Sequence, residues 1–272
     1  MTVEFSHQQT GKDWGTLNDF DEFKPPSILT HKQMSKCRQW INGLNGKALV
    51  LGLTLSMRQL AHDNDFEVYC VDIDKDVALN TYNLVDKKKY EHILISNWLS
   101  VPLSYSTFDI ILGDASFNQL KYPQEYEQLI KRVYNWLSPE GLFLYRFYRP
   151  EMFDSAEQVF AKHENLKNAT FDGLYYDFAG AVADKMNWVF DTSKIGEVMN
   201  ANWDRIKDLA EKGIIDKKDL SKKRWLAQKR IASIRTKQEV IALFSKYFEV
   251  IGEFDENYHY ANGIIMLMRP RK

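Results

Sequence analysis

Between residues 47 and 147, short apolar runs alternate with amphipathic ones, and no other feature of this 272-residue chain limits its fold so tightly. Apolar runs at 48–53, 67–71, 92–96, 108–112 and 142–147 are separated by helical patterns near 57–63, 77–84 and 123–137. Nearly continuous apolar strands joined by helices need a parallel sheet covered on both faces, which predicts a doubly wound α/β domain. After Pro150 the alternation stops. Aromatic and helical segments around 171–188, 194–212 and 216–234 predict an inserted, mainly helical lobe. A capped helix at 236–248 and strand candidates at 248–254 and 261–268 then predict a C-terminal hairpin at the sheet edge. Ahead of the core, residues 1–29 read as an arm, and Thr30 as the cap of a helix running to about residue 44. The expected divisions are 1–46 (arm and helix), 47–150 (core), 151–235 (lobe) and 236–272 (the closing helix and hairpin).

Composition narrows the partners. Hydrophobic residues make up 44% of the chain and aromatics 14%, enough for a pocket as well as a core. A formal net charge of -1 gives no global field toward nucleic acid or an anionic membrane. Cys37 and Cys70 have no metal-knot spacing, and no metal site is expected. The N-terminus has no signal-peptide pattern, and no run approaches the ~20 apolar residues of a membrane span. A cytoplasmic, reduced protein is the expectation, with no signature of an oligomeric state.

In open α/β sheets, ligands sit outside the carboxyl ends of the strands, so the strand ends carry the chemistry. Gly52 ends the first strand, where a missing side chain lets a ligand approach the backbone; it equally serves as plain punctuation. Thr54 or Ser56 is positioned to cap the following helix through its hydroxyl. Asp72, at the end of the second strand about 20 residues after the glycine turn, suits the two hydroxyls of a ribose, or else stands as a solvated acid beside a capping Asp74. Asn97 offers an amide to an adenine edge and Trp98 a wall for the ring; the alternatives are a capping Asn and a core Trp. Gly113-Asp114 follows the fourth strand, and Asp114 is expected to face the cleft, whereas Asp109 reads as an edge acid outside the site.

The order strand-Gly52, strand-Asp72, strand-Asn97-Trp98, "FDIILGDAS" and "LSPEGLFLYRF" resembles the class I S-adenosylmethionine-dependent methyltransferases over residues 47–147. The resemblance implies a seven-stranded, Rossmann-like sheet with an antiparallel final strand and S-adenosyl-L-methionine as cofactor. It implies that Gly52 lines the methionine side, Asp72 holds the ribose, Asn97 and Trp98 meet the adenine, and Asp114 lies beneath the transfer centre. Leu53, Ile73 and Ala115 join the cofactor set as their neighbours. Members usually have three closely spaced glycines after the first strand; here Thr54 and Ser56 occupy the later two positions, with hydroxyls that can supply donors of their own. The turn "LVLGLTLSMRQLA" is similar to a bacterial subgroup with a "VLGVTPELR" style of turn.

Methyl transfer depends chiefly on positioning. Asp114, Asn118 and Tyr148 are the expected catalytic assistants, and Arg146, Tyr175, Tyr176 and His259 the expected acceptor contacts. Each also has a bland reading, as helix cap, internal ion pair, core aromatic or surface histidine. Tyr175 and Tyr176 are chosen because neighbours diverge, so one core does not account for both. The fourth strand lacks the Asn/Asp-Pro-Pro-aromatic signature of base-amine methyltransferases, so a small molecule is expected as acceptor rather than nucleic acid. Residues 205–237 hold twelve Lys/Arg against four Asp/Glu, a pattern shared by a phosphate-tracking patch and a solvated helical face. The expectation is a soluble methyltransferase with the lobe at 151–235 and the N-terminal arm closing over the acceptor. Its rivals are a different reaction on the same cofactor, or a non-catalytic protein binding cofactor or RNA.

Overall fold

Strand β1 (Lys47–Leu51) lies inside the sheet, with a strand on each side, and its residues explain why. Ala48 and Val50 pack into one apolar cluster, Leu49 and Leu51 into another, so both faces of the strand are covered. The computed structural model describes residues 23–86, 90–149, 151–167, 169–186, 189–227, 229–256 and 262–271. Around β1 run β2 (Glu67–Asp72), β3 (Glu91–Ile95), β4 (Phe108–Asp114), β5 (Leu137–Arg149), β8 (Phe248–Asp255) and β9 (Asn262–Pro270). They form a seven-stranded sheet in the order β3-β2-β1-β4-β5-β9-β8. The first five strands are parallel, and β9 runs antiparallel to both β5 and β8. The last strand therefore inserts between β5 and β8, and the expected C-terminal hairpin completes the sheet.

Helix α1 (His31–Ile41) starts at Thr30 in a capping box with Gln33, as the sequence suggests, but stops at Ile41 rather than near residue 44. With α2 (Leu55–Asp63) it covers one face through Cys37, Ile41, Met57, Leu60 and Ala61. Helix α3 (Lys75–Thr81) follows β2. The opposite face is covered by α4 (Gln124–Trp136), whose Leu129, Ile130, Val133 and Trp136 are buried, and by α9 (Lys237–Phe244). Cys37 and Cys70 are both buried and unbridged.

The lobe has its own apolar cluster, made by α5 (Ala156–Glu164), α6 (Phe171–Val182), α7 (Thr192–Ala201), α8 (Trp203–Glu211) and a 3-10 segment (Lys217–Ala227). Part of the stretch expected to be helical at 216–234 is instead the short strand β7 (Ile231–Ser233), antiparallel to β6 (Val189–Asp191). Phe23 of the arm enters the lobe cluster, its ring 6.2 Å from that of Trp225. Among the described residues no helix is long and apolar enough to cross a membrane.

Candidate functional site

The sheet register brings the strand ends level. Leu51 pairs with Val71 on one side and Gly113 on the other, Asp72 pairs with Ile95, and Asp114 with Arg146. The crossovers on either side of β1 run to opposite neighbours, which opens a crevice where the topology reverses. A cleft of about 240 Å³ lies there, lined by all five parallel strand ends, the arm and the lobe.

Gly52 has φ +100°, a conformation that side chains rarely adopt, and its N–H donates to the Val71 carbonyl at 2.8 Å. A Cβ there would stand 3.6 Å from Asp72 Oδ2 and 3.7 Å from Trp98 Cζ2, inside the space these three residues share. Asp72 accepts the Asp74 N–H at 2.9 Å. Burial pushes the Asp72 carboxyl up to about 6 against the pull of that N–H, and the Asp74 charge adds to the rise. Asp74 itself caps α3, accepting the N–H groups of Asp76 and Val77. Asn97 accepts the Leu99 N–H through Oδ1 at 2.8 Å, so it does cap a turn, while its side chain also lines the cleft. The Trp98 indole donates to the Val71 carbonyl at 2.6 Å, which fixes the ring at the cleft edge. Leu53, Ile73 and Ala115 line the cleft as well, Ala115 in a left-handed conformation at φ 51°.

Neither Thr54 nor Ser56 caps α2. Thr54 occupies the cap position without a side-chain hydrogen bond, and its Oγ1 is buried, unpartnered and beside the cleft. Ser56 is fully enclosed and accepts the Leu29 N–H at 3.0 Å, so it tethers the arm instead of lining the cleft. Ser116, just after β4, repeats the Thr54 pattern: its Oγ is buried and unpartnered, and the residue lines the cleft. Buried hydroxyls normally find partners, and among the described residues neither of these two, both beside one cavity, has one.

Asp114 lines the cleft and is locked to Arg146, with Nε to Oδ1 at 2.5 Å and Nη2 to Oδ2 at 3.0 Å. Arg146 also donates to the Pro26 carbonyl at 2.7 Å and the Ile28 carbonyl at 3.1 Å. Nε, Nη1 and Nη2 are thus all engaged, and the pair holds the arm across the sheet edge so that Phe23, Ser27 and Ile28 wall the cleft. Asn118 is buried on a 3-10 turn (Ser116–Gln119) and does not line the cleft; Gln119, one residue on, does. The single step around a tight turn reverses which side chain faces inward. Tyr175 packs in the lobe core, whereas Tyr176 lines the cleft, so of the expected tyrosine pair only one reaches the site. The side chain of Tyr148 and all of His259 lie outside the described residues.

Sequence reading missed Ser116, Gln119, the arm residues and Arg230, which reaches the cleft from the lobe. Ser116 and Gln119 follow a recognised strand end and were within reach of that argument. Arg230 carries no local signal, because only the tertiary fold brings it to the sheet. Six of the twelve basic residues in 205–237 are in ion pairs among the described residues: Arg205 with Glu164, Lys207 with Asp204, Lys212 with Asp208, Lys217 with Glu211, Lys237 with Glu253, and buried Lys222 with Asp172 and Asp219. Among the described residues no group of three or more His, Cys, Asp or Glu is arranged to hold a metal ion.

No protein-family model and no curated protein matches the chain. Solved structures do. A protein from Rhodobacter sphaeroides, solved under the name of a zinc-dependent alcohol dehydrogenase, matches at 14% identity over 96% of this chain and 98% of its own, TM-score 0.58. A protein from Pyrococcus horikoshii matches at 15% identity over 88% and 89% of the two chains, TM-score 0.55. An S-adenosylmethionine-dependent methyltransferase from Clostridium acetobutylicum matches at 10% identity over 89% and 92%, TM-score 0.52. At such identities the likeness is one of fold. Together with the strand order it gives the chain the Rossmann-like fold of the class I methyltransferases, with a mainly helical inserted lobe.

Proposed function

We propose that this protein binds S-adenosyl-L-methionine in the cleft and transfers its methyl group to a small-molecule acceptor. One observation carries the reading: Gly52, Asp72, Asn97, Trp98 and two unpartnered buried hydroxyls, Thr54 Oγ1 and Ser116 Oγ, border one cleft at the topological switch point. These groups fit an adenosyl ligand. The space a Cβ at Gly52 would fill adjoins a carboxylate suited to vicinal hydroxyls and an indole suited to a purine. Thr54 and Ser116 hold open hydroxyls where a polar ligand would complete their hydrogen bonding.

When bound, the cofactor supplies a methyl group made electrophilic by its sulfonium. The chain's own task is placement. Gly52, Leu53 and Thr54 receive the amino-acid end, Asp72 and Ile73 the ribose, Asn97 and Trp98 the base, and Ala115 closes the floor. Asp114, spent on Arg146, acts as a positioning residue that seats the arm. Phe23, Ser27 and Ile28 from the arm and Tyr176 from the lobe wall the cleft, which limits water and favours an acceptor of small size. In this reading 47–150 is the cofactor-binding unit, 151–235 the acceptor lobe, and 236–272 the completion of the sheet. Half of the lysines and arginines of 205–237 are neutralised by acidic partners, which weakens the case for a phosphate-tracking patch and for nucleic acid as the acceptor.

The test is calorimetric titration with S-adenosylhomocysteine. Binding to the wild-type protein is expected, and Asp72→Ala should weaken it by about 1.5–3 kcal/mol, the scale of a lost charge-assisted hydrogen bond. No binding to the wild-type protein, or equal affinity in the variant, contradicts the assignment.

A further inference from the structure

Five charged side chains line the cleft: Asp72, Asp74, Asp114, Arg146 and Arg230. Asp74 caps a helix, and Asp114 and Arg146 neutralise one another. Arg230 has no such partner. Its Nε is buried without a hydrogen bond, and no ion pair engages its guanidinium among the described residues. Leaving a guanidinium N–H desolvated and unpaired is unfavourable unless something arrives to meet it.

The position of Arg230 is built rather than incidental. Its backbone is clipped on both sides to Thr192 at the start of α7: the Arg230 N–H donates to Thr192 Oγ1 at 2.9 Å, and the Thr192 N–H to the Arg230 carbonyl at 2.9 Å. The strand that follows is fastened to the loop after β4, where Ser233 Oγ donates to the Leu120 carbonyl at 3.1 Å and meets the Tyr126 hydroxyl at 3.0 Å. Arg230 is thus anchored through the lobe and, three residues on, to the segment that follows β4, and its side chain lines the cleft with Gln119 and Leu120. Its charge reaches the phenols of Tyr175 and Tyr176, opposing the rise that burial imposes on both. Gln119, which lines the same cleft, has a carboxamide with no hydrogen-bond partner among the described residues.

We infer that Arg230 is an oxyanion receptor, and that the acceptor of the transfer carries a carboxylate or phosphate that docks on it. A guanidinium presents a planar fork that matches such groups with paired hydrogen bonds, and partial burial strengthens the contact. Tyr176, Phe23, Ile28 and Leu120 supply apolar surface for the remainder of the molecule. The inference rests on the methyltransferase reading for the word acceptor; the oxyanion site itself does not. The other source of the same chemistry is the carboxylate of the cofactor's methionine end.

The test titrates protein saturated with S-adenosylhomocysteine with benzoate, with phenyl phosphate and with neutral benzamide. Benzoate or phenyl phosphate should bind at least about tenfold more tightly than benzamide, in line with a hydrogen-bonded charge contact. Arg230→Met should remove that preference, Arg230→Lys should keep part of it, and affinity for S-adenosylhomocysteine should stay within about twofold in both. Equal binding of charged and neutral probes, or anion binding untouched in Arg230→Met, overturns the inference. A tenfold drop in S-adenosylhomocysteine affinity in Arg230→Met also overturns it, since the oxyanion would then be the cofactor's own. Failure of wild-type protein to bind S-adenosylhomocysteine sinks the methyltransferase reading alone, because the same three probes titrated into ligand-free protein still decide whether Arg230 receives an anion.

Discussion

Asp72 shows how one residue joins the fold to the proposed chemistry. Its backbone continues the sheet, since the Ser96 N–H donates to the Asp72 carbonyl at 2.8 Å, while its carboxylate is left among desolvating neighbours with the Asp74 charge close by. The carboxyl therefore titrates at about 6 instead of the usual 3.8. Two opposite pH trends follow. Because the folded state holds the proton more tightly than the unfolded one, the Asp72 contribution to stability is greatest below 3.8 and is lost as pH rises through about 6. Ligand hydroxyls need the carboxylate, so affinity for S-adenosylhomocysteine should fall as pH drops from 7 to 5, with the midpoint near 6. Titrations across that range should show this decline in the wild-type protein and a flat, weaker profile in Asp72→Asn. A flat wild-type profile would detach Asp72 from the ligand. Asp72, Gly52 and Trp98 were legible because each follows an apolar run whose end is visible in the sequence. Ser56, Asn118 and Tyr175 were misplaced because neighbouring residues on a turn or helix face different directions, and periodicity alone does not say which one faces the cleft.

Among elements, the join between α2 and β3 is made by a fully buried ion pair. Arg58 grips Glu91 with a two-pronged contact, Nε to Oε1 at 2.9 Å and Nη2 to Oε2 at 2.7 Å, and both side chains are fully enclosed. Arg58 also donates to the carbonyls of Thr81 and Tyr82, which ties down the end of α3, and His62 adds a contact to Oε1. Burial alone would raise the Glu91 carboxyl, but the hydrogen bonds and charges of Arg58 and His62 outweigh it and hold the group down from 4.5 to about 2. This contribution to stability is present above 4.5 and disappears as pH falls toward 2. Glu91→Ala leaves Arg58 buried and unpaired, so urea unfolding at pH 7 should show a loss of about 3–5 kcal/mol, shrinking when measured at pH 3. An unchanged unfolding midpoint would mean that the pair contributes nothing net. The strands flanking this join were readable from their apolar runs. The pairing of β6 with β7 was not, because three-residue strands are too short to display alternation.

At the scale of the whole molecule, two apolar cores share one cleft. The sheet supplies the strand ends, the lobe supplies Tyr176 and Arg230, and the arm bridges them: Lys24 N–H donates to Asp172 at 3.2 Å, Thr170 Oγ1 donates to the Pro25 carbonyl at 3.0 Å, and Arg146 holds Pro26 and Ile28. The core was readable because each strand and helix is a local pattern. That the arm and lobe close over the cleft was also expected; which of their residues do so was not readable, because they meet the sheet through contacts more than a hundred residues apart in sequence. The central claim is that these parts converge to hold an adenosyl ligand at the carboxyl edge of the sheet. A crystal structure of the protein grown with S-adenosylhomocysteine tests it most directly. Ribose hydroxyls are expected on the Asp72 carboxylate, the purine against Trp98 and the homocysteine end over Gly52; ligand density elsewhere on the molecule, or a reversed orientation with the purine beside Arg230, contradicts the claim.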